Sequence, residues 1–305
     1  MEMDSMKLEV QNLVKSYGNF QALNGITFSV ERGQILGLLG RNGAGKTTTI
    51  KSIMGIIEPD SGDILFDKKP LTRDSVSIGY LPEERGLYMN TRVKDQLVYF
   101  GMLNGLSKAE ALQEIKQLLE QFEILQYLNK KVKTLSKGNK QKIQLISAIL
   151  HRPQIAILDE PFSGLDPVNI ELFKNTVLDL KKNGTTILFS SHRMEDVEEM
   201  CDRIVMLNKG NIVENDTVSG LIEKYSKKNT ILLQVNQDIT PFLHNKNLKL
   251  QSEHNLIFEI QYEKKEDLTV LYQELLQQNI QLIKVEEPKC SLQSIFIKEL
   301  SDHES

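Results

Sequence analysis

The sequence predicts an α/β protein with a largely parallel sheet, followed by a small α+β domain. From Leu8 to about Asp216, short apolar strands alternate with helical patterns, which is typical of a parallel sheet covered by helices. Lys, Ser and Asn then predominate in residues 223–229, and this change in composition predicts a linker. After the linker, strand and helix patterns return, at 232–235, 256–260, 265–277, 282–285 and 292–300. We therefore divide the chain into a domain of residues 1–228 and a domain of residues 229–305.

The parallel part of the first domain begins with a strand at 34–39, a glycine-rich turn and a helix at 47–56. A helical subdomain is predicted at about 84–150, where Ser107 and Glu110 supply a capping box for an amphipathic helix. The subdomain is expected to end with a helix over 140–150. Three more apolar strands are predicted after it, at 155–158, 186–189 and 204–207.

The composition is that of a compact globular protein. Of the 305 residues, 40% are hydrophobic and 26% are charged, which excludes a fibrous or largely disordered chain. The net charge is only −4, so nucleic acid is not an expected partner. One short basic stretch is interpreted as a solvated helix face, with contact to an acidic lipid or a phosphate as the alternative. It comprises Lys130, Lys131, Lys133, Lys137, Lys140 and Lys142.

The sequence shows no segment suited to the membrane. Crossing a bilayer takes roughly 18 consecutive apolar residues, and every strongly apolar run here is shorter. Residues 1–7 carry no apolar signal region. If a membrane is involved, we therefore expect another chain to span it. Cys201 and Cys290 match no metal-ligand or redox spacing, which predicts ordinary residues in a reducing compartment.

A phosphate-binding loop is the strongest functional motif. It lies between the strand at 34–39 and the following helix, the context that distinguishes such loops from chance matches. Its glycines let backbone N–H groups surround phosphates, and the helix that begins at Lys46 adds its positive dipole end. Lys46 is predicted to reach the β and γ phosphates of a nucleotide; a purely structural glycine loop is the alternative. The residues assigned to nucleotide binding are Gly40, Arg41, Asn42, Gly43, Ala44, Gly45, Lys46, Thr47 and Thr48.

Two adjacent carboxylates follow the strand at 155–158. Asp159 ends this strand, where it can orient a Mg²⁺ ion that also contacts the Thr47 hydroxyl. Glu160 is a second carboxylate beside the metal, which is where a general base for an attacking water would lie. A surface acid without function is the alternative for Glu160.

With these motifs in order, the chain resembles the ATP-binding cassette (ABC) family over about residues 8–222. The resemblance rests further on Pro161 to Asp166 and on Leu135-Ser136-Lys137-Gly138-Asn139, which is similar to the signature segment found only in this family. It implies a RecA-like core sheet with an antiparallel β part and a helical subdomain. It also implies ATP and Mg²⁺ as ligands, and a homodimer or a pair of similar subunits that closes on two ATP molecules.

The resemblance assigns further roles residue by residue. Ser136 and Gly138 would bind the γ phosphate held by the opposite subunit, and Asp166 lies in the loop through which two subunits sense each other's sites. Tyr17 occupies the position whose ring stacks on adenine, with core packing as the alternative. His192 matches the switch histidine that contacts the γ phosphate, with a structural histidine as the alternative. The predicted catalytic residues are Lys46, Glu83, Glu160 and His192, and the predicted metal ligands are Thr47, Glu83 and Asp159.

The chain departs from the family pattern at two places. The signature carries Lys137 where a second glycine is usual and Asn139 where glutamine is usual, which could alter the energy of closure. Glu83 stands where the family generally has glutamine. A carboxylate there adds negative charge near the γ phosphate and could slow hydrolysis unless Arg85 or another cation compensates.

The resemblance implies an ATPase subunit of a transporter at the cytoplasmic face of the cell membrane, working with separate transmembrane permease subunits. Residues 81–88, the signature and the extra C-terminal domain are similar to the NatA-type branch, which is associated with sodium export. A soluble ABC ATPase acting on ribosomes or DNA is one alternative, although the chain carries one cassette and no sustained heptads. A module that senses ATP without hydrolysing it is another. The C-terminal domain is interpreted as a dimer brace or as a regulatory sensor for ions or metabolites.

Overall fold

A computed structural model of the chain describes residues 7–72, 74–83, 86–226, 229–243, 247–288 and 290–302. The chain forms two compact units, one of residues up to Val218 and one from Ser219 onward. This division falls earlier than the boundary predicted at residue 229, so that the helix α7 at Val218–Tyr225 falls almost wholly in the second unit. Within the described ranges, no helix is both long enough and apolar enough to cross a membrane.

The first unit contains two sheets. Its strands are β1 Lys7–Tyr17, β2 Phe20–Glu31, β3 Ile35–Leu39, β4 Ser61–Phe66, β5 Lys69–Pro70, β6 Ile78–Leu81, β7 Ile155–Asp159, β8 Thr186–Ser190, β9 Arg203–Asn208 and β10 Asn211–Thr217. One sheet is antiparallel, in the order β2-β1-β4-β5. The other has the order β10-β9-β3-β8-β7-β6 and is parallel except at β10. The predicted α/β fold with an antiparallel part is confirmed.

The central strands of the parallel sheet are apolar because both of their faces are covered. Every residue of β3 and β8 is buried, as are the first four residues of β7. The helices of this unit are α1 Lys46–Ile53, α2 Val93–Leu103, α3 Lys108–Gln121, α4 Lys137–Ile149, α5 Pro167–Lys182 and α6 Met194–Met200. Because β3, β8 and β7 are parallel neighbours, their carboxyl ends share one edge of the sheet. Ligands bind at this edge in such folds.

Local capping explains where the helices begin and end. The predicted capping box before α3 is confirmed: Glu110 N–H donates to Ser107 Oγ at 3.2 Å, and Ser107 N–H donates to Glu110 Oε2 at 2.8 Å. The prediction of a helix over 140–150 is wrong at its start. Ser136 caps α4 by accepting from Asn139 N–H, so the helix begins at Lys137. The helix predicted over 47–56 ends at Ile53, because Gly55 adopts a φ of 61° just beyond it.

The basic stretch is not a uniformly solvated face. Lys142 is only 7% exposed, and its ammonium donates to the Phe122 carbonyl at 3.0 Å. Phe122 is the C-cap of α3, so the cation satisfies a carbonyl at the negative end of that helix. The interpretation of Lys142 as a solvated residue is therefore wrong, and this side chain joins α4 to α3.

The second unit is a four-stranded antiparallel sheet with helices. Its elements are α7, β11 Thr230–Val235, β12 Leu248–His254, β13 Ile257–Tyr262, α8 Lys265–Gln277, β14 Leu282–Glu286 and α9 Leu292–Asp302. The strand order is β12-β13-β11-β14. Leu268, Leu271 and Leu275 of α8 belong to the same core as Leu233 and Phe258 of the sheet. The strand β12 was missed from the sequence because its second half is polar and exposed.

Candidate functional site

The phosphate loop connects β3 to α1 through residues 40–45. A Cβ on Gly40 would lie 2.5 Å from the Leu207 carbonyl oxygen, and a Cβ on Gly45 would lie 2.8 Å from Leu23 Cδ2. Gly45 also has a φ of 112°, in the region that side chains disfavour. Glycine is therefore required at both positions for the loop to pack against β9 and β2.

The hairpin of β9 and β10 is hydrogen-bonded to the phosphate loop. In the turn between β9 and β10, Gly210 N–H donates to the Ala44 carbonyl at 3.0 Å. The Gly210 carbonyl in turn accepts from Asn24 N–H of β2 at 2.9 Å. The loop is thus connected by hydrogen bonds through one turn residue to the antiparallel sheet.

The start of α1 provides backbone donors. Gly45 is the N-cap, and the first helical hydrogen bond runs from Thr49 N–H to the Gly45 carbonyl at 2.9 Å. The N–H groups of the preceding turn have no partner within the helix, as at any helix start, so they can bind an anion. Of the other predicted residues, Arg41, Asn42, Gly43 and Thr47 are exposed, Thr48 is half-buried and Ala44 is buried.

The Lys46 side chain folds over the loop. Its ammonium donates to the Gly40 carbonyl at 2.5 Å and to the Arg41 carbonyl at 3.3 Å. Burial lowers the pKa of Lys46, and the negative charges of Asp159, Glu160 and Glu83 act in the opposite direction. The three predicted carboxylates therefore lie close enough for their charges to act on the predicted phosphate-binding cation.

Asp159 is fixed by the neighbouring strand. It pairs in register with Ser190 at the end of β8, and its Oδ1 accepts from Ser190 Oγ at 2.5 Å. Ser190 is buried and was not predicted as a site residue. The sequence shows Ser190 directly after a predicted strand. It does not show that this strand, β8, lies beside β7 and so beside Asp159, because a strand pattern does not reveal strand order.

Glu160 adopts a strained backbone at the end of β7. Its φ is 50°, and its N–H donates to the Ser190 carbonyl at 3.1 Å. Its Oε1 lies 3.5 Å from His192 Nε2, and the side chain of Glu160 is only 12% exposed, whereas that of His192 is 61% exposed. Burial raises the pKa of Glu160, while His192 opposes the rise. A carboxylate with a raised pKa beside an accessible histidine can accept a proton from water.

Glu83 lies in the exposed loop after β6, close enough for its charge to act on Lys46, Tyr80 and Glu160. Gln144 of α4 supports this loop by donating from Nε2 to the Pro82 carbonyl at 3.1 Å. Arg85, predicted as a compensating cation, lies outside the described residues.

Ser136 and Gly138 have other neighbours. Ser136 is the N-cap of α4, and a Cβ on Gly138 would lie 3.9 Å from Leu165 Cδ2 and 3.8 Å from Asn169 Nδ2. Asp166 is the N-cap of α5 and accepts from Asn169 N–H at 3.1 Å. In a single chain Gly138 therefore lies near Leu165 and Asn169, and Ser136 and Asp166 are the residues that cap the amino ends of α4 and α5.

Tyr17 ends β1 at the surface, where 47% of it is exposed and the Lys15 ammonium lies 5.9 Å from the ring centroid. The alternative that Tyr17 packs in the core is therefore wrong. An exposed ring at the end of a strand can stack on a planar ligand.

These features define a class of protein. The phosphate loop lies between a buried parallel strand and a helix, and a carboxylate ends another strand of the same sheet. This is the site of a P-loop nucleoside triphosphatase.

Comparisons with known proteins identify the family. The model of the ABC transporter family matches residues 23–163. The uncharacterized ABC transporter ATP-binding protein YhaQ of Bacillus subtilis is 49% identical over 226 residues, covering 74% of this chain and 76% of YhaQ. The ABC transporter ATP-binding protein NatA of Bacillus subtilis is 36% identical over 208 residues, covering 67% and 85%. A solved ATP binding subunit of an ABC transporter shares 35% identity with a TM-score of 0.67, covering 72% and 92%.

The chain belongs to the ABC transporter family as an ATP-binding subunit, an ATPase that drives transport. Subunits of this kind work with membrane permease subunits in transporter complexes. The alternative of a soluble ATPase on ribosomes or DNA is not favoured by these relatives.

Proposed function

We propose that two copies of this chain close on two ATP molecules. Each site would combine Lys46, Asp159 and Glu160 of one copy with Ser136 and Gly138 of the other. The observation that carries this proposal is the division of the predicted residues into two groups within one chain. One group surrounds Lys46, and the other lies at the amino ends of α4 and α5.

Within each site the residues have different roles in binding and hydrolysing ATP. Lys46 and the N–H groups at the start of α1 bind the phosphates and stabilise the charge that develops during transfer. Glu160 accepts a proton from the attacking water, and His192 stabilises the charged carboxylate and contacts the γ phosphate. Tyr17 stacks on the adenine ring. The loop with Asp166 lies at the contact between the two copies.

The donor set also fits Mg²⁺. This ion usually binds to proteins through one or two carboxylates, and waters and substrate phosphates complete its ligands. Asp159, held by Ser190, and the exposed Thr47 would hold it, with Glu83 as a further oxygen ligand. When bound, the ion neutralises charge on the phosphates.

A membrane permease would dock on the helical subdomain and the Glu83 loop. In this region Tyr88, Tyr99, Met102 and Leu103 are each at least half exposed, with Leu103 at 64%. Large apolar side chains grouped at a surface are typical of a protein interface. The chain would thereby lie on the cytoplasmic face of the membrane as a peripheral subunit. ATP-driven closing and opening would be passed to the permease through this surface.

The transporter would be an exporter, with sodium as the first cargo to test. Support comes from the resemblance of residues 81–88 and of the signature to the NatA-type branch, and from 36% identity to NatA. The second unit would serve as a brace between the two copies or as a regulatory sensor. Removing the residues after 229 without changing activity or dimerisation would contradict both roles.

The test is a Glu160→Gln chain, with Glu195→Gln at an exposed position of α6 as the matched control. With Mg-ATP, Glu160→Gln is expected to bind nucleotide, to lose hydrolysis by about two orders of magnitude and to accumulate as a dimer. Phosphate release and light scattering measure both effects. Tagged in its native cells and trapped in this way, the variant is expected to co-purify with a polytopic membrane protein identified by mass spectrometry.

Three results would contradict parts of the proposal. Hydrolysis at the parental rate would remove Glu160 from its role. Recovery of ribosomes or DNA-bound proteins without a membrane partner would favour the soluble alternative. Tight binding of Mg-ATP by the parent chain, without phosphate release even with its permease, would favour an ATP sensor.

A further inference from the structure

Lys137 is the residue at which the signature departs from the family's usual glycine, and it makes a contact that glycine could not make. The side chain extends from the first residue of α4 across Gly164, in the loop that precedes α5. A Cβ on Gly164 would overlap the Lys137 ammonium and would lie 2.6 Å from Lys137 Cε. Gly164 has a φ of 72°, so its backbone also disfavours a side chain. The lysine therefore occupies the space that a glycine leaves open in the facing loop.

Two other contacts join the same segments. Gln141, one turn further along α4, donates from Nε2 to the Pro161 carbonyl at 3.0 Å. Gly138 packs near Leu165. The amino end of α4 thus faces the loop of residues 161–166, with the Gln141 hydrogen bond at the beginning of the loop and Lys137 at its middle.

This loop leads directly from Glu160. Ser163 N–H donates to the Glu160 carbonyl at 3.1 Å, and Leu165 N–H donates to the Phe162 carbonyl at 3.2 Å. The loop is therefore a compact turn that directly follows the proposed general base and is hydrogen-bonded to its carbonyl. A displacement of Gly164 would act on the backbone that carries Glu160.

We propose that Lys137 is a positioning residue that couples the signature segment to the loop after Glu160 within one chain. This inference rests on the proposed two-chain site. In that dimer, Ser136 contacts one ATP while Glu160 of the same chain serves the other. Lys137 then links the two ATP sites through a single chain, and binding at one site fixes the loop that serves the second.

The first experiment measures the loop directly. Hydrogen–deuterium exchange of the full chain is compared for Lys137→Ala and Lys140→Ala, two lysines of the same helix end whose replacement removes the same charge. Only Lys137→Ala is expected to speed exchange at residues 163–166, by about threefold or more. Equal exchange in both variants would overturn the contact.

The second experiment measures coupling to ATP in chains that also carry Glu160→Gln. The ATP concentration for half-maximal dimer formation, followed by light scattering, is expected to rise about threefold or more in Lys137→Ala. Lys140→Ala is expected to match the parent, and Lys137→Arg, which keeps a long cationic side chain, is expected to restore the parental value. ATP affinity of the dilute monomer is expected to stay unchanged.

A double-mutant cycle with Gly164→Ala separates positioning from a simple effect of charge. If Lys137 acts through Gly164, Gly164→Ala raises the ATP concentration for half-maximal dimer formation less in the Lys137→Ala chain than in the parent. Fully additive effects would overturn the inference while leaving the two-chain site intact. If the Glu160→Gln chain forms no ATP-dependent dimer, the two-chain site itself is wrong, and the coupling between sites falls with it.

Discussion

The two units of the chain arrange their sheets in different ways, and the predicted site residues all lie in the first unit. In the first unit, buried parallel strands end together, so that Asp159 and Ser190 meet at one edge of the sheet. In the second unit, antiparallel strands end alternately at opposite edges, and one edge strand, β14, is mostly exposed. Residues that follow parallel strands therefore meet at one edge of the sheet, whereas residues that follow antiparallel strands lie at two opposite edges.

Residues other than glycine with positive φ values occur in both units. In the first unit, Glu160 has a positive φ, and its carboxylate lies 3.5 Å from His192 Nε2 in the candidate site. In the second unit, Asn255, Leu256 and Asn279 have positive φ values, and these residues lie in turns that connect strands and helices. A strained residue at a strand end surrounded by charge indicates function, whereas one in a turn is explained by the turn.

The largest expected effect tests the site of the first unit. Lys46→Ala removes the ammonium that the loop presents to phosphates, so hydrolysis is expected to fall by about two to three orders of magnitude, with weaker ATP binding. Lys51→Ala, in the exposed last turn of the same helix, is the control and is expected to keep the parental rate. Phosphate release and nucleotide titration measure both quantities. Equal rates in the two variants would mean that α1 does not carry the phosphate site.

The next effect tests the core of the second unit. Leu271 is 1% exposed inside its core, whereas Leu276 of the same helix is 62% exposed. Leu271→Ala is expected to lower the free energy of unfolding of this unit by about 2 to 3 kcal/mol, because it leaves a cavity. Leu276→Ala is expected to change it by less than about 0.5 kcal/mol. Urea unfolding followed by circular dichroism checks this, and equal losses would contradict the assigned core.

ATP affinity is expected to be the same in both leucine variants and in the parent chain. The reason is that the predicted nucleotide-binding residues all lie in the first unit. A clear loss of affinity in Leu271→Ala alone would show that the second unit takes part in the site, and would weaken the contrast between the units.

The smallest effect concerns pH and the first unit. Burial lowers the pKa of His151 below its ordinary value of about 6.5. As the pH falls through 6.5, the unfolded chain takes up a proton that the folded chain resists, so this histidine reduces stability in acid. Between pH 7.5 and 5.5 the free energy of unfolding is therefore expected to fall, measured by urea unfolding at each pH. His151→Leu is expected to reduce that pH dependence, and His254→Leu, on the exposed part of β12, is expected to leave it unchanged. Equal pH slopes would contradict the prediction.

Much of the first unit could be predicted from the sequence because its signals are local. The apolar run at 155–158, the phosphate-loop glycines and the capping box at Ser107 each act within a few residues of the chain. The structure has these elements where the patterns predicted them. The gathering of Asp159, Glu160 and Glu83 around Lys46 was partly predicted, because the motifs implied it.

The remaining features depend on contacts between distant segments. Lys142 is a charged residue in a basic run, and only the carbonyl at the end of α3 explains its burial. The contact of Lys137 with Gly164 likewise joins residues of two segments whose packing no periodicity reveals. β12 was missed because its polar half pairs with β13 by backbone hydrogen bonds, which side-chain patterns do not record.

The turn at Gly210 has a consequence for how this protein can change over generations. Surface hairpins ordinarily accept insertions and substitutions, and they are among the most variable parts of a fold. Here the turn contacts both the phosphate loop, at Ala44, and the strand β2, at Asn24. A Cβ on Gly210 would also lie 2.8 Å from the Ala22 carbonyl oxygen. A side chain at position 210 is therefore expected to disturb the packing of the phosphate loop, although Gly210 lies far from that loop in the sequence.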